Sequence, residues 1–312
     1  MTQLTAVSLF AGVGGFDLAM ERNGINVVAA VEIDKHARGV LEKQFPNTKL
    51  FNDVTEVTGE QLKSAGFIPE RGIITGGFPC QDLSVAGKRA GLAWKRSGLY
   101  WEIIRLVDEL APAYIVLENV PGLLTSNRGR DMGAVIGALV DRRYGVSWRV
   151  LDAQNFGVPQ RRRRVFIVGC AGDDGITSSE VLALSEGLRG DNSQNKKPRE
   201  SIAGNTGTSI AESNIKLTAF GKTGFGKYTE GELTPLQASS HKRATENIVV
   251  TQGTTNATTV RRITPVECER LQGFPDNWTE GQPDGHRFKQ TGNAIAVPVV
   301  EWIMARLVKQ AK

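Results

Sequence analysis

The chain has 312 residues, 40% of them apolar and 23% charged, which is room for a full core and a second, smaller domain. Three widely spaced cysteines (Cys80, Cys170, Cys268) argue against a disulfide framework and for a reducing, cytoplasmic setting, and three histidines without CxxC or HxxxH spacing give no expected metal site. With no run of about 18 apolar residues no membrane span is expected, MTQLTAVSLFAGVGG lacks the features of a secretory signal, and a net charge of +5 permits a polyanionic partner without requiring one.

The first elements read as strand, glycine turn, helix: Thr5 to Leu9, then Phe10-Ala11-Gly12-Val13-Gly14-Gly15, then Phe16 to Glu21. A second apolar run, Val27 to Val31, ends in Glu32-Ile33-Asp34. Gly12 and Glu32 stand at the spacing of about 20 residues that places a carboxylate on ribose hydroxyls in nucleoside-binding βαβ units. The loop is nonetheless not a dinucleotide fingerprint, because Asp17 occupies the position of the third glycine. A carboxylate at a helix N-terminus competes with a pyrophosphate, so the loop suits a nucleoside without phosphates.

Strand and helix patterns then alternate. Lys49-Leu50-Phe51 leads into Asn52-Asp53-Val54, and Ile73 to Thr75 is a strand that runs into Gly76-Gly77-Phe78-Pro79-Cys80-Gln81. Pro79 cannot continue a ladder, so Cys80 sits on a turn beyond the strand. A thiol there is a candidate nucleophile, or else a small buried hydrophobe. Leu99 to Leu110 carries a helical apolar face, and Tyr114 to Leu117 is a strand ending in Glu118-Asn119-Val120-Pro121. Trp148 to Leu151 and Val165 to Val168 are further strands, the last entered through Gln160-Arg161-Arg162-Arg163-Arg164. In an extended run Arg162 and Arg164 face one way and Arg161 and Arg163 the other.

This alternation implies an α/β fold with a doubly wound, mostly parallel sheet. Ligands of such sheets sit beyond the carboxyl ends of the strands, where the glycine loop, Glu32, Asp53, Cys80 and Glu118 all fall. That convergence favours the functional reading of Cys80. The expected boundaries are a catalytic and cofactor-binding domain over 1–171, a smaller domain over 172–287, and a segment over 288–312 that returns to the first. Residues 172–259 are rich in Gly, Ser, Thr and Asn and read as a loop-rich, β-leaning region, with a disordered linker as the alternative. Thr264-Pro265-Val266-Glu267 fits a capping box and Gly273 a helix stop, so 264–273 is a capped helix; an apolar helix follows from Val297 to Leu307.

The motifs in this order resemble those of DNA (cytosine-5)-methyltransferases of the bacterial and phage type. They are Phe10 to Gly15, Gly77-Phe78-Pro79-Cys80-Gln81, Glu118-Asn119-Val120, Gln160 to Arg164, Arg262-Ile263-Thr264-Pro265 through Leu271-Gln272-Gly273-Phe274-Pro275, and Gln290-Thr291-Gly292-Asn293-Ala294. The resemblance implies the fold of S-adenosylmethionine-dependent methyltransferases, with 172–259 as the target-recognition region. It assigns Cys80 as the nucleophile toward cytosine C6, Glu118 to N3 and the exocyclic amine, and Arg162 or Arg164 to O2. The cofactor, S-adenosyl-L-methionine with S-adenosyl-L-homocysteine as product, is expected against Phe10, Gly12, Val13, Gly14, Gly15, Glu32, Ile33, Asp53, Val54, Pro79, Leu99, Asn293 and Ala294. Double-stranded DNA is the expected partner, met by Gln81, Ser84, Lys88, Arg89, Gln160, Lys222, Lys227 and Thr234, with 81–97 as a closing loop. Where the family often carries a Thr-Leu pair, this chain has Thr234-Pro235-Leu236. A monomer is expected, with any cognate restriction endonuclease acting separately and no metal or membrane involved. The alternatives are cytosine-5 methylation of RNA and a catalytically inactive DNA-binding relative. A thiol hydrolase would need a histidine base in a partner motif, and none is present.

Overall fold

The computed structural model describes residues 3–79, 98–173, 175–184, 216–223, 227–230, 247–252 and 258–311. Within them the chain divides into two compact units, one of residues 1–151, 163–183 and 299–312, the other of 152–162 and 184–298.

The first unit is built on a seven-stranded sheet. Its strands are β1 (Thr5–Leu9), β2 (Asn26–Val31), β3 (Lys49–Phe51), β4 (Gly72–Gly77), β5 (Tyr114–Asn119), β6 (Tyr144–Asp152) and β7 (Arg163–Ala171), in the order β3-β2-β1-β4-β5-β7-β6. Strands β1 to β5 pair in parallel, and β7 runs antiparallel to β5. All five residues of β1 and five of the six in β4 are buried, which is why they read as continuous rather than alternating apolar runs.

Helices cover both faces. Val7, Leu9, Ile74, Ile115 and Leu117 join one core with α4 (Leu99–Leu110) and α5 (Arg130–Val140). The Tyr100 hydroxyl donates to the Val135 carbonyl at 2.8 Å and ties those two helices together. On the opposite face Ser8 of β1 donates to Asp17 of α1 (Gly15–Arg22) at 2.9 Å. Two helices that the sequence reading did not anticipate are set by their caps. Asp34 accepts from the His36 and Ala37 amides to start α2 (Lys35–Gln44), and Thr58 with Gln61 forms a capping box on α3 (Gly59–Ser64). After β7 comes α6 (Ile176–Val181), whose last turn offers the Glu180 and Val181 carbonyls to Arg306.

In the second unit, β8 (Lys216–Thr223), β9 (Lys227–Glu230), β10 (Asn247–Gln252) and β11 (Thr258–Arg262) form an antiparallel sheet in the order β11-β10-β8-β9. Helix α7 (Pro265–Gln272) starts on the Thr264–Glu267 capping box and stops at Gly273 with φ 81°. A further helix, α8 (Asp284–Asn293), precedes α9 (Val297–Gln310). Val300, Ile303, Met304 and Leu307 of α9 are buried at helical spacing.

These boundaries differ from those expected at 171 and 288. Contacts of α6 with Arg306 keep the chain to 183 in the first unit, and hydrogen bonds from Arg162 and Gln272 to the end of α8 keep residues up to 298 in the second. Among the described residues no single helix is long and apolar enough to cross a membrane.

Candidate active site

The glycine loop after β1 forms one end of the site. Phe10 and Gly12 are both left-handed, with φ 56° and 58°. Backbone strain at a phenylalanine persists only where the surroundings impose it. The Gly12 amide donates to Glu32 Oε2 at 2.7 Å, and the Asp34 amide donates to Glu32 Oε1 at 2.8 Å. The spacing of Gly12 and Glu32 thus becomes a direct contact between the exits of β1 and β2. A Cβ built on Gly12 meets nothing within 4 Å, so open space lies beside a fixed carboxylate.

Ile33, next to Glu32, is 72% exposed, a single apolar side chain at the strand exit. Asp53, at the end of β3, accepts from the Thr55 amide at 2.9 Å and its hydroxyl at 2.8 Å. These bonds, the amide first, hold its carboxyl below the ordinary carboxylate range. A carboxylate, open space above a glycine and an exposed aliphatic residue fit a nucleoside with ribose hydroxyls and a flat base. Val13 and Val54 are buried. Gly14 caps α1 and Gly15 is its first residue. Pro79 is exposed and Leu99 half-buried at the start of α4.

Asp17 departs from the sequence reading. It does not face the loop's ligand side but is fully buried, with Oδ2 accepting from Ser8 and Oδ1 without a partner. Burial pushes its pKa up to about 7 against the lowering effect of the Ser8 bond, with Glu21 and Glu32 adding to the rise. The absence of a third glycine therefore has a packing cause.

The exits of β4 and β5 form the other end. Gly77 and Glu118 are register partners in the parallel pair, and a Cβ on Gly77 would lie 3.0 Å from Glu118 Oε2. A side chain at Gly77 would therefore press on the Glu118 carboxyl. Arg164 Nε meets Glu118 Oε1 at 2.8 Å, across the antiparallel β5–β7 pair.

Asn119 is the residue whose role the sequence reading missed. It is buried, and its Nδ2 donates to the Phe78 carbonyl at 2.9 Å while its Oδ1 accepts from the Val120 amide. The Phe78 ring lies 5.0 Å from that of Tyr100. Both ends of Phe78 are therefore held, two residues before Cys80. A polar residue directly after a strand-end carboxylate was the available signal. Cys80 itself lies outside the described residues, as do Gln81, Ser84, Lys88, Arg89 and Thr234.

The arginine run alternates as extended chain does: Arg161 and Arg163 are exposed, Arg162 is buried and Arg164 half-buried. Arg162 belongs to the second unit. There it donates to the Gly292 carbonyl at 3.2 Å and the Asn293 carbonyl at 3.4 Å, with its own amide on Asp152 at 3.0 Å. Asn293 is exposed and Ala294 half-buried beside it. Gln160, expected at the DNA, is fully buried, and among the described residues neither end of its amide has a hydrogen-bond partner. Lys222 on β8 stands opposite Tyr228, and Lys227 on β9 opposite Thr223, on either side of the connection between those strands. Among the described residues no group of His, Cys, Asp and Glu is arranged to hold a metal.

A carboxyl held by an arginine and a carboxylate beside open space above a glycine, both at the carboxyl ends of parallel strands, invite comparison with known proteins. A family model described as C-5 cytosine-specific DNA methylase matches residues 4–309. The Type II methyltransferase M.BsuFI of Bacillus subtilis is 32% identical over 96% of this chain and 71% of its own length. M.HpaII of Haemophilus parainfluenzae is 31% identical over 96% and 87%, and M.NgoBI of Neisseria gonorrhoeae 32% over 95% and 90%. Among solved structures, the S. pombe Dnmt2 methyltransferase superposes with a TM-score of 0.67 at 18% identity, covering 99% of both chains, a likeness of fold. The chain is a DNA (cytosine-5)-methyltransferase and belongs to the C-5 cytosine-specific DNA methylase family.

Proposed function

We propose that the protein transfers a methyl group from S-adenosyl-L-methionine to C5 of one cytosine, flipped out of a specific double-stranded DNA sequence, with Cys80 as covalent nucleophile. The observation that carries the reading is the Glu118–Arg164 pair at the β5 exit, beside the strand that delivers Phe78, Pro79 and Cys80.

Cytosine C5 is a poor nucleophile until the 5,6 double bond is opened. The Cys80 thiolate forms a bond to C6, and the displaced electron pair moves through C5 and C4 toward N3. Glu118 gives N3 its proton and accepts a hydrogen bond from the exocyclic amine, while Arg164 fixes the carboxyl and faces O2. S-adenosyl-L-methionine, held by the glycine loop, Glu32 and Asp53, would supply the electrophilic methyl group to which C5 bonds, its sulfonium sulfur taking the electron pair of the broken carbon–sulfur bond. Loss of the C5 proton to a base then restores the double bond as the C6–sulfur bond breaks and Glu118 recovers its proton. Glu32 would bind the ribose hydroxyls, Asp53, Val54 and Ile33 the adenine end, and the Phe10–Gly15 loop with Pro79 and Leu99 the remainder. A base stacked in duplex cannot reach Cys80, so flipping costs a few kcal/mol that protein–DNA contacts must offset. The protein acts as a monomer in the cytoplasm, and a cognate restriction endonuclease, where one exists, is a separate chain.

Bisulfite sequencing of plasmid DNA from cells expressing the protein tests this directly. Protection of one cytosine in one short context is expected; folded protein with no protected cytosine would sink the reading. On duplexes carrying 5-fluorocytosine, Cys80→Ala is expected to lose the covalent complex and keep cofactor binding. An adduct formed by that variant would place the nucleophile elsewhere.

A further inference from the structure

Beyond β5 the chain makes two short 3-10 turns, Pro121–Leu124 and Ser126–Gly129, before α5 begins. Leu123 is buried and anchors the first turn in the core. In the second, Asn127 (φ 47°) and Arg128 (φ 59°) are both left-handed, and Gly129 (φ 83°) continues the bend. Left-handed backbone at a residue with a side chain costs about 1–2 kcal/mol. Asp131, itself buried, offsets that cost by accepting from the Ser126 hydroxyl and, at 3.5 Å, from Asn127 Nδ2.

The outcome is that Arg128 and Arg130 stand exposed on either side of Gly129. Among the described residues neither side chain donates a hydrogen bond or joins an ion pair; the Arg128 amide donates to the Thr125 carbonyl at 3.2 Å. Arg22, Arg105, Arg142 and Arg164 of the same unit are all paired with carboxylates. The nearest acid in sequence, Asp131, is turned inward and engaged. Two uncompensated guanidinium groups are therefore presented on the turns that follow β5, the strand whose carboxyl end carries Glu118. Strain of this kind is retained where it aims a side chain, and a loop bonded into shape gives up less entropy on binding.

We propose that Arg128 and Arg130 clamp the phosphodiester backbone of the double-stranded DNA that carries the target cytosine. The proposal rests on the DNA-methylating reading and adds a contact to it. Guanidinium forks match phosphate oxygens, and contacts of this class set register and orientation without reading sequence. Holding the backbone beside the β5 exit keeps the duplex in place while the base leaves the stack.

The test is the salt dependence of binding to a duplex oligonucleotide containing the methylated context and to an unrelated duplex. Replacing both residues by glutamine (R128Q/R130Q) is expected to weaken both complexes alike and to reduce the slope of log affinity against log salt by about 1 per arginine. R128K/R130K should keep most of the slope. The thermal midpoint and S-adenosyl-L-methionine binding of both variants should match the wild type. Methylation by the wild type, with a slope that the glutamine variant leaves unchanged, overturns the clamp and spares the reading beneath it. A slope that falls in the variant while the wild type methylates no cytosine does the reverse. A fall seen on structured RNA and not on duplex DNA overturns the clamp as stated.

Discussion

Two arginine–glutamate pairs, one in each unit, set the same chemistry to different ends. At the β5 exit Glu118 and Arg164 meet at 2.8 Å with 15% and 20% of their side chains exposed. At the α7–α8 corner Glu269 is fully buried and Arg287 only 11% exposed, at 3.0 Å. Glu269 also accepts from the Trp278 amide, the Thr279 amide and the Thr279 hydroxyl. A carboxylate has about four lone-pair sites, and Glu269 spends them on the protein. Glu118 keeps an accessible face at a strand exit where ligands of such sheets bind. Saturation marks a strut, and access marks a working group.

Glu118→Gln tests the working side and should have the largest effect. The amide cannot deliver a proton to N3, so methyl transfer is expected to fall by about 10²–10⁴-fold. The thermal midpoint should barely move, because a partly exposed pair contributes about 1 kcal/mol or less. Steady-state methylation assays beside melting curves check both halves. A variant that melts early and works normally would reverse the assignment.

Glu269→Ala tests the strut. It strands the Arg287 charge in a buried site and unbonds three groups of the Trp278–Thr279 turn, at a cost of about 3–5 kcal/mol. Urea unfolding should show that loss, while the folded fraction at low temperature methylates at the wild-type rate. A stable variant with impaired methylation would mean that this pair, too, serves the reaction.

The same contrast explains what could be read in the sequence. Strands β1, β2, β4 and β5 were legible because burial on both faces leaves apolar runs ending in glycine or acid. The Gly12–Glu32 spacing and the Thr264–Glu267 cap are local patterns, and both appear as hydrogen bonds. Helix α8 was not legible. Its sequence, DGHRFKQTGN, buries Gln290, Thr291 and Gly292 rather than an apolar stripe, and Arg287 ties it to Glu269. The alternation of the arginines was visible, but not the partners of Arg162, whose carbonyls lie 130 and 131 residues away. Asn119 sat inside a recognised motif, yet its bond to the Phe78 carbonyl spans 41 residues and leaves no periodic trace.

Asp17 sharpens the comparison from the opposite side, as a buried acid that is not saturated. It has one side-chain donor, Ser8, and an oxygen with no partner among the described residues, where Glu269 has four donors. Desolvation therefore dominates, and its pKa is pushed up to about 7 from an ordinary value of 3.8. The folded state holds this proton through a range in which the unfolded chain has released it. The stability this confers is fully present below about pH 4 and is lost as the pH rises toward 7. Asp17→Asn keeps an oxygen for the Ser8 hydroxyl and cannot ionise. Relative to the wild type it should gain about 2–3 kcal/mol between pH 5 and pH 8, the smallest of these effects. Urea unfolding at the two pH values measures the difference. An equal effect at both would show that the buried carboxyl is already ionised at pH 5, and that one hydroxyl suffices where Glu269 draws on four donors.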